Sequence, residues 1–363
     1  MKTRVFPARF AICIVLVLIA LLTATASWAA DQRPGVEEVF DRMKTGAADP
    51  NAQLRFLPEN VNAWYARWYI LDNAKKSIDL TYFIVEPDIF GMSMLGMLMK
   101  KAREGIQIRI MMDARGTKGL VRKFIGQDVL QELAKFKNVQ IRVFNPVGQK
   151  LIALFDDLRN IMASNHDKII LVDGEYLITG GRNISKNYFV DPRDLATVYR
   201  DTDILIKSPI VAAQARRAFE EEFTSGGNFK IDKDLFGNVD DMHRHLDIAY
   251  QAMRRYLLGN GLYKLPEDNN LSKDTRKLVE KYTTELAQYK QLPGYASFRL
   301  FQGERAYPTR ILDKHSRNGN RNEITPNLIA LMDACKEEIL IQNPYVVLTP
   351  ESHAALKRAN DRG

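Results

Sequence analysis

Asp173-Gly174 stands between two apolar runs, Ile169–Val172 and Tyr176–Ile178, and this arrangement restricts the fold more than any other feature of the chain. The two-residue turns whose twist matches flanking strands need positive φ at their central residues, which Asp-Gly supplies at low cost. A two-residue turn pairs Val172 with Glu175, Lys168 with Thr179 and His166 with Gly181. Opposed residues share a face of the hairpin, and so do alternate ones. The register therefore predicts that His166, Lys168, Thr179, Gly181 and Asn183 converge at the end far from the turn. Asp173, at odd spacing from His166, is expected to face away.

Such a grouping suits a phosphoryl group. His166 offers an imidazole nitrogen that can attack phosphorus. Lys168 brings a cation, and Asn183 an amide donor, for the phosphoryl oxygens. Gly181, opposite His166, leaves room for a substrate. Asp173 is expected to hold the turn and support the site without touching phosphate.

Around the hairpin, strands and helices alternate. Ser77–Val85 reads as a strand, Ile89–Glu104 as a helix ended by Gly105, and Ile106–Met112 as a strand leaving through Asp113–Gly116. A helical stretch around Val129–Phe136 precedes a strand, Val139–Phe144, stopped by Pro146. This alternation predicts an α/β sandwich. Residues 31–55 are mixed and polar and are expected to form a lead-in helix. Met242–Leu258 and Ser272–Tyr289 read as amphipathic helices of a connector. Strand signals resume at Ala296–Phe301 and Glu338–Val347. Leu71–Leu80 and Leu331–Leu340 are similar, and an internal repeat with an offset of about 260 residues follows.

Composition removes several classes. The chain has 363 residues, 46% hydrophobic and 26% charged, which excludes a disordered protein, a collagen and a multi-pass membrane protein. Its two cysteines, Cys13 and Cys335, exclude a disulfide framework. Lys2, Arg4 and Arg9 precede an uncharged apolar run, Phe10–Leu22, and small residues at Ser27 and Ala29 fit a signal-peptidase site. An exported chain cleaved near Ala29 is the expectation, with an uncleaved anchor as the alternative. Cleavage lowers the net charge from +8 to +5, a modest excess for a protein that meets polyanions.

The segment His166-x-Lys168-x4-Asp173, followed by Gly180-Gly181-x-Asn183, resembles the HKD motif of the phospholipase D superfamily. The Gly-Gly-Arg-Asn-Ile form, residues 180–184, is most similar to the bacterial cardiolipin synthase and phospholipase D-like branch. Tyr82, Arg103-x-Gly105 and Arg200-Asp201-Thr202-Asp203 fit the same context. The resemblance covers roughly residues 56–225 and restarts near 296. It implies an α-β-α sandwich with a mixed central sheet, in a repeat whose second copy is incomplete. The implied domains are a signal peptide (1–29), a lead-in (30–55), a first domain with the motif (56–225), a helical connector (226–295) and the start of a second domain (296–363).

The resemblance also implies a mechanism that uses no metal and no cofactor. His166 would form a phosphohistidine, and a second HKD histidine would protonate the leaving alcohol. Lys168, Gly181 and Asn183 would bind the phosphate, and Asp173 would complete the motif. Asp201 best matches the acid that orients the histidine ring, with Asp194 second; Asp201 as a plain surface or pairing acid is the other reading. The family uses two such motifs and this sequence holds one: Ser316-Arg317 follows His315, and Ala354-Ala355 follows His353. By the repeat offset a second motif is expected some sixty residues past Gly363, so the chain reads as a fragment.

Three functions follow as expectations. The first is an exported phosphatidyltransferase or phospholipase D acting on phospholipid at a membrane surface. The second is an exported nuclease of the same superfamily, which the modest charge disfavours. The third is a secreted module without activity. A homodimer could bring two copies of His166 together. His243-x-His245 with Asp240, Asp241 and Asp247 lacks a defined ligand spacing for zinc and is read as an exposed helix face. Met92, Met94, Met97 and Met99 are expected to fill core gaps. Trp64, Tyr65, Trp68 and Tyr69 are expected to form a core patch on a helix. Arg317–Arg321 reads equally as a phosphate contact or a solvated loop.

Overall fold

The computed structural model describes residues 33–116, 120, 129–144, 164–226, 228–233, 242–265, 272–315, 321–343 and 346–362. The expected signal peptide, Asp240, Asp241 and residues 316–320 lie outside the described residues. Two compact units are present: Thr45–Asn322, and the two chain ends up to Lys44 and from Glu323.

The larger unit is built on a mixed sheet of nine strands among the described residues. In chain order these are β1 (Asp49–Leu57), β2 (Ser77–Ile84), β3 (Gln107–Gly116), β4 (Val139–Phe144), β5 (Lys168–Val172), β6 (Tyr176–Gly180), β7 (Asp203–Lys207), β8 (Phe229–Ile231) and β9 (Ala306–Thr309). Their order across the sheet is β8-β4-β3-β2-β5-β6-β7-β1-β9. The β2–β3 and β3–β4 pairs are parallel, joined by helical crossovers, and the pairs from β2–β5 through β1–β9 are antiparallel.

Helices cover both faces. On one face Ile78, Leu80, Ile170, Val172, Ile178 and Leu205 pack into the main core with helices Asn60–Asp72 and Ile89–Arg103. Trp64, Trp68 and all four methionines of the second helix are buried there. Helices His243–Leu257 and Lys273–Leu286, the expected connector, belong to the same core, and Trp68 stacks on Tyr250 with ring centroids 5.7 Å apart. On the other face Leu171, Leu177 and Ile206 meet Val211, Ala212 and Ala215 of helix Pro209–Thr224. The arrangement is the expected α/β sandwich with a mixed sheet.

Several elements differ from the sequence reading. The lead-in holds only a short helix, Val36–Arg42, and then supplies β1, which pairs with β7 from Gln53↔Lys207 to Leu57↔Asp203. Residues 296–301 form no strand; a 3-10 turn, Tyr295–Ser297, stands there, and the strand lies further on at β9, against β1. Glu338–Val347 shows no strand at its described positions. Its repeat counterpart, β2, has partners on both sides, whereas Leu340, Val346 and Val347 are exposed. Extended sequence alone does not make a strand when no neighbour receives its backbone bonds.

The smaller unit contains helices Val36–Arg42, Ile324–Ala334 and Pro350–Asn360. Arg358 clamps Asp333 through two bonds, of 2.9 and 2.7 Å, and Arg33 donates to the Asp333 carbonyl.

Candidate active site

The Asp-Gly turn forms, but the hairpin register is shifted by one residue. Asp173 (φ 56°) and Gly174 (φ 70°) both take positive φ, and the Glu175 N–H closes on the Val172 carbonyl at 3.0 Å. Glu175 then leaves the ladder: its carbonyl accepts from the Ser208 N–H, and Tyr176 stands opposite Val172. A one-residue slip moves side chains to the other face. Thr179 therefore pairs with Ile169 and lies on the face away from Lys168, contrary to the expected convergence.

Asp173 lies at the turn, far along β5 from His166. Its carboxylate accepts the backbone N–H groups of Lys75 (2.8 Å), Lys76 (2.7 Å) and Ser77 (2.9 Å). These charge-assisted bonds fix the start of β2 against the hairpin and offset the positive φ of a residue with a Cβ.

His166 and Lys168 sit at the opposite end, where β5 begins beside the end of β2. Lys168 is opposite Tyr82 in the register and shares its face. The lysine is 4% exposed, and its Nζ lies 3.2 Å from His166 Nδ1 and 2.5 Å from the His166 carbonyl oxygen, to which it donates. Phe83 completes the group. Its ring is 4.6 Å from the His166 ring, and Lys168 Nζ lies 5.4 Å from its centroid. Burial pulls Lys168 down to about 8, although Asp167, Asp201 and Asp203 favour its charge. Burial and the Lys168 cation also lower the His166 pKa, so the ring is neutral at neutral pH.

The two glycines of the motif make room for two acids. A Cβ on Gly180 would stand 2.3 Å from Asp203 Oδ1, and one on Gly181 would stand 2.0 Å from Asp201 Oδ1. The space at Gly181 thus belongs to Asp201, rather than to a substrate facing His166. Asp201 accepts from the Thr202 N–H at 2.8 Å and, among the described residues, makes no hydrogen bond to His166. Asp194, the second choice, accepts from the Gln291 N–H at 2.7 Å. Asn183 is buried: its carbonyl accepts from Ile84 N–H (3.1 Å) and its amide donates to the Tyr188 hydroxyl (3.2 Å). It holds the motif loop to the end of β2, beside the Glu86 N–H to Ile184 carbonyl bond.

Beneath this end lies a buried ionic network whose members the sequence reading did not single out as site residues. Asp203, 1% exposed, meets Arg67 at 2.9 Å and Arg182 at 3.1 Å. Arg67 also donates to the Tyr82 hydroxyl, and Arg182 to the carbonyls of Leu57 and Pro58 and to Asn60 Oδ1. Those carbonyls solvate the second guanidinium where only one carboxylate is present. Arg182 is the variable residue of Gly-Gly-x-Asn, so the spacing alone gave it no role. Asn165 was also missed. Its amide donates to Glu222 (2.8 Å), its N–H to Asp113 (2.9 Å), and its carbonyl accepts from Asp167 N–H (3.1 Å). His315, set aside for lacking the motif, is buried with Nδ1 3.9 Å from Glu222.

Both helix histidines have other partners. His245 bonds the Tyr282 hydroxyl at 2.5 Å, and His243 meets Arg103. Among the described residues no group of three or more His, Cys, Asp or Glu side chains is placed to hold a metal ion. None of the described helices is long and apolar enough to cross a membrane.

The family model described as "Cardiolipin synthase, PLD-like domain" matches residues 69–223, which span β2 to β7 and the whole hairpin. Cardiolipin synthase C of Escherichia coli is 27% identical over 43% of this chain and 32% of its own length. An uncharacterized protein of Helicobacter pylori is 31% identical over 70% of this chain and 47% of its own. The match thus spans less than half the length of these curated relatives. Among solved structures, Nuc of Salmonella typhimurium, a phospholipase D family member, gives a TM-score of 0.34 at 20% identity over 50% of this chain and 99% of its own. The chain carries, at residues 69–223, a phospholipase D-like domain of the cardiolipin synthase-like branch of that superfamily.

Proposed function

We propose that the chain belongs to an exported enzyme that processes phospholipid phosphodiesters through a phosphohistidine on His166, by phosphatidyl transfer or by hydrolysis. One observation carries this reading: an accessible imidazole, kept neutral, stands 3.2 Å from a lysine that carries charge below about pH 8. A neutral ring is the nucleophilic form, and a buried cation beside it is placed to hold phosphoryl oxygens. The named cardiolipin synthases among the relatives support a lipid substrate. The basic and then apolar N-terminus supports export.

The chemistry sets a requirement on the ring. While the Lys168 ammonium donates to Nδ1, the neutral ring carries its proton on Nε2. Attack by Nε2 requires that proton on Nδ1. Phosphate binding draws the ammonium to the phosphoryl oxygens and releases Nδ1, and Asp201 becomes the acceptor once the ring turns. A P–N bond then forms, the P–O bond to the headgroup alcohol breaks, and the alcohol takes a proton from a second histidine. That histidine comes from a further half or a second copy. Water or another alcohol then attacks phosphorus and frees His166.

The test is turnover of phosphatidylglycerol vesicles by the full chain in chelator, followed as cardiolipin and phosphatidate. His166→Ala is expected to lower the rate by at least ~10³-fold. Undiminished turnover in that variant removes the assignment. Metal-free nicking of plasmid without lipid turnover transfers it to a nuclease.

A further inference from the structure

At the C-terminal end of helix His243–Leu257 lies a cleft of about 250 Å³. Its wall carries Arg254, Arg255 and Lys264, with Gln251, Asn260 and Tyr263 between them, and no carboxylate among the described residues. The local chain path builds this wall. Gly259 and Gly261, both at φ 74°, turn the chain back on the helix. Arg255 Nε donates to the Leu262 carbonyl at 3.1 Å and pins the returning segment across the last turn. Tyr263 and Lys264 thereby line the same cleft as Arg254.

Basic residues in a last turn ordinarily offset the negative end of the helix dipole, about half a charge. Arg254 and Arg255 already exceed that, and Lys264 comes from a separate segment. Neither Arg254 nor Lys264 forms an ion pair among the described residues. The adjoining cleft, of about 370 Å³, shares Gln251 and Arg254, but its own two cations are paired: Lys100 meets Asp72 at 3.4 Å and Arg103 meets Asp247 at 3.5 Å. Among the described residues, therefore, the positive charge is left without an ion pair on one side only.

This place is remote from His166. Helix Ile89–Arg103 starts at Asp88, which holds the Lys186 N–H just past the motif. It ends at the opposite end of the strands, where Lys101 donates to the Ala74 carbonyl ahead of β2. The two ends of β2 are roughly 23 Å apart at strand rise. Lys100 and Arg103, which line the adjoining cleft, are in the last turn of that helix.

We infer that the cleft binds a phosphate-class anion, the phosphoryl group of a lipid head or of a free phosphate ester, between Arg254 and Lys264. Arg254 and Lys264 are both exposed, so the double variant Arg254→Ala/Lys264→Ala leaves the core and the Arg255 pin intact. Full-length protein is titrated with glycerol 3-phosphate by calorimetry, and is co-sedimented with phosphatidylglycerol and with phosphatidylcholine vesicles. The His166→Ala variant serves as a control for the other site. Saturable glycerol 3-phosphate binding that the double variant weakens at least about tenfold, and His166→Ala spares, supports the site with a free ester as ligand. Binding only to phosphatidylglycerol vesicles, lost in the double variant, supports it with a lipid head as ligand. Binding of both probes that is undetectable, or equal in wild type and double variant, overturns it. Binding of an oligonucleotide alone, lost in the double variant, also overturns it, in favour of a polynucleotide.

Discussion

In the proposed function Lys168 meets two opposing demands: a phosphate ligand wants a cation, and burial removes charge. With its pKa at about 8, the lysine is charged at neutral pH and loses that charge just above it. Accordingly, KM for phosphatidylglycerol, a diester that does not itself titrate there, should rise up to about tenfold per pH unit above 8. Lys168→Arg stays charged and should flatten that profile. A wild-type KM constant from pH 7 to 9.5 contradicts a binding role for the lysine. The two acids of the Asp-x-Asp segment should separate just as sharply. Asp203→Asn leaves two buried guanidinium groups without a carboxylate and should cost about 3–5 kcal/mol in urea unfolding. Asp201→Asn, at a half-buried site, should cost under ~1 kcal/mol and lower kcat without raising KM. Equal stability losses in the two variants would show that the acids are interchangeable supports.

Among the elements, Asp88 has the widest reach. Its carboxylate caps helix Ile89–Arg103 through Phe90 and Gly91 N–H groups and also holds Lys186 N–H at 2.7 Å. Burial raises it to about 7, and Asp167, beside Glu222, is raised to about 7 as well. Both folded values lie above the unfolded one, so between pH 4 and 7 the folded chain binds more protons. Their contribution to stability is present below pH 4 and is lost as pH rises through 7. Asp88→Asn, which cannot release a proton, should reduce that slope in urea unfolding at pH 5 and 7. Asp88→Ala should in addition cost about 1–2 kcal/mol through the lost cap. A slope unchanged in the Asn variant would show that Asp88 does not cause it.

This scale also shows what the sequence could disclose. The β2–helix–β3 succession was legible because periodicity and the stop at Gly105 are local. The turn was legible for the same reason, but its register was not. Glu175 is drawn out of the ladder by Ser208, thirty-three residues on. β1 was missed because its partner, β7, lies some 150 residues away. At the site, the His166-x-Lys168 pair was visible in the motif, and Asp173 was visible as a turn residue. Asn165, Glu222 and His315 come from three separate segments, and no spacing rule joins them.

In the whole molecule, β1 joins β7 to the edge strand β9 in the sheet of the larger unit, and its Ala52 and Leu57 are fully buried. Residues 45–322 should therefore unfold in one cooperative transition when expressed alone. A fragment starting at residue 58 loses β1, strips β7 of five register pairs and leaves β9 without its partner. It should show a broad, early transition by circular dichroism. Matching transitions for the two fragments would mean that β1 is dispensable. The proposed function rests on one covalent event. The most direct measurement is peptide mass spectrometry of full-length protein incubated with phosphatidylglycerol and quenched at alkaline pH. A phosphatidyl adduct on His166, with glycerol released, is expected, and no adduct in His166→Ala. An adduct on another residue, or lipid turnover without any adduct on His166, would contradict it.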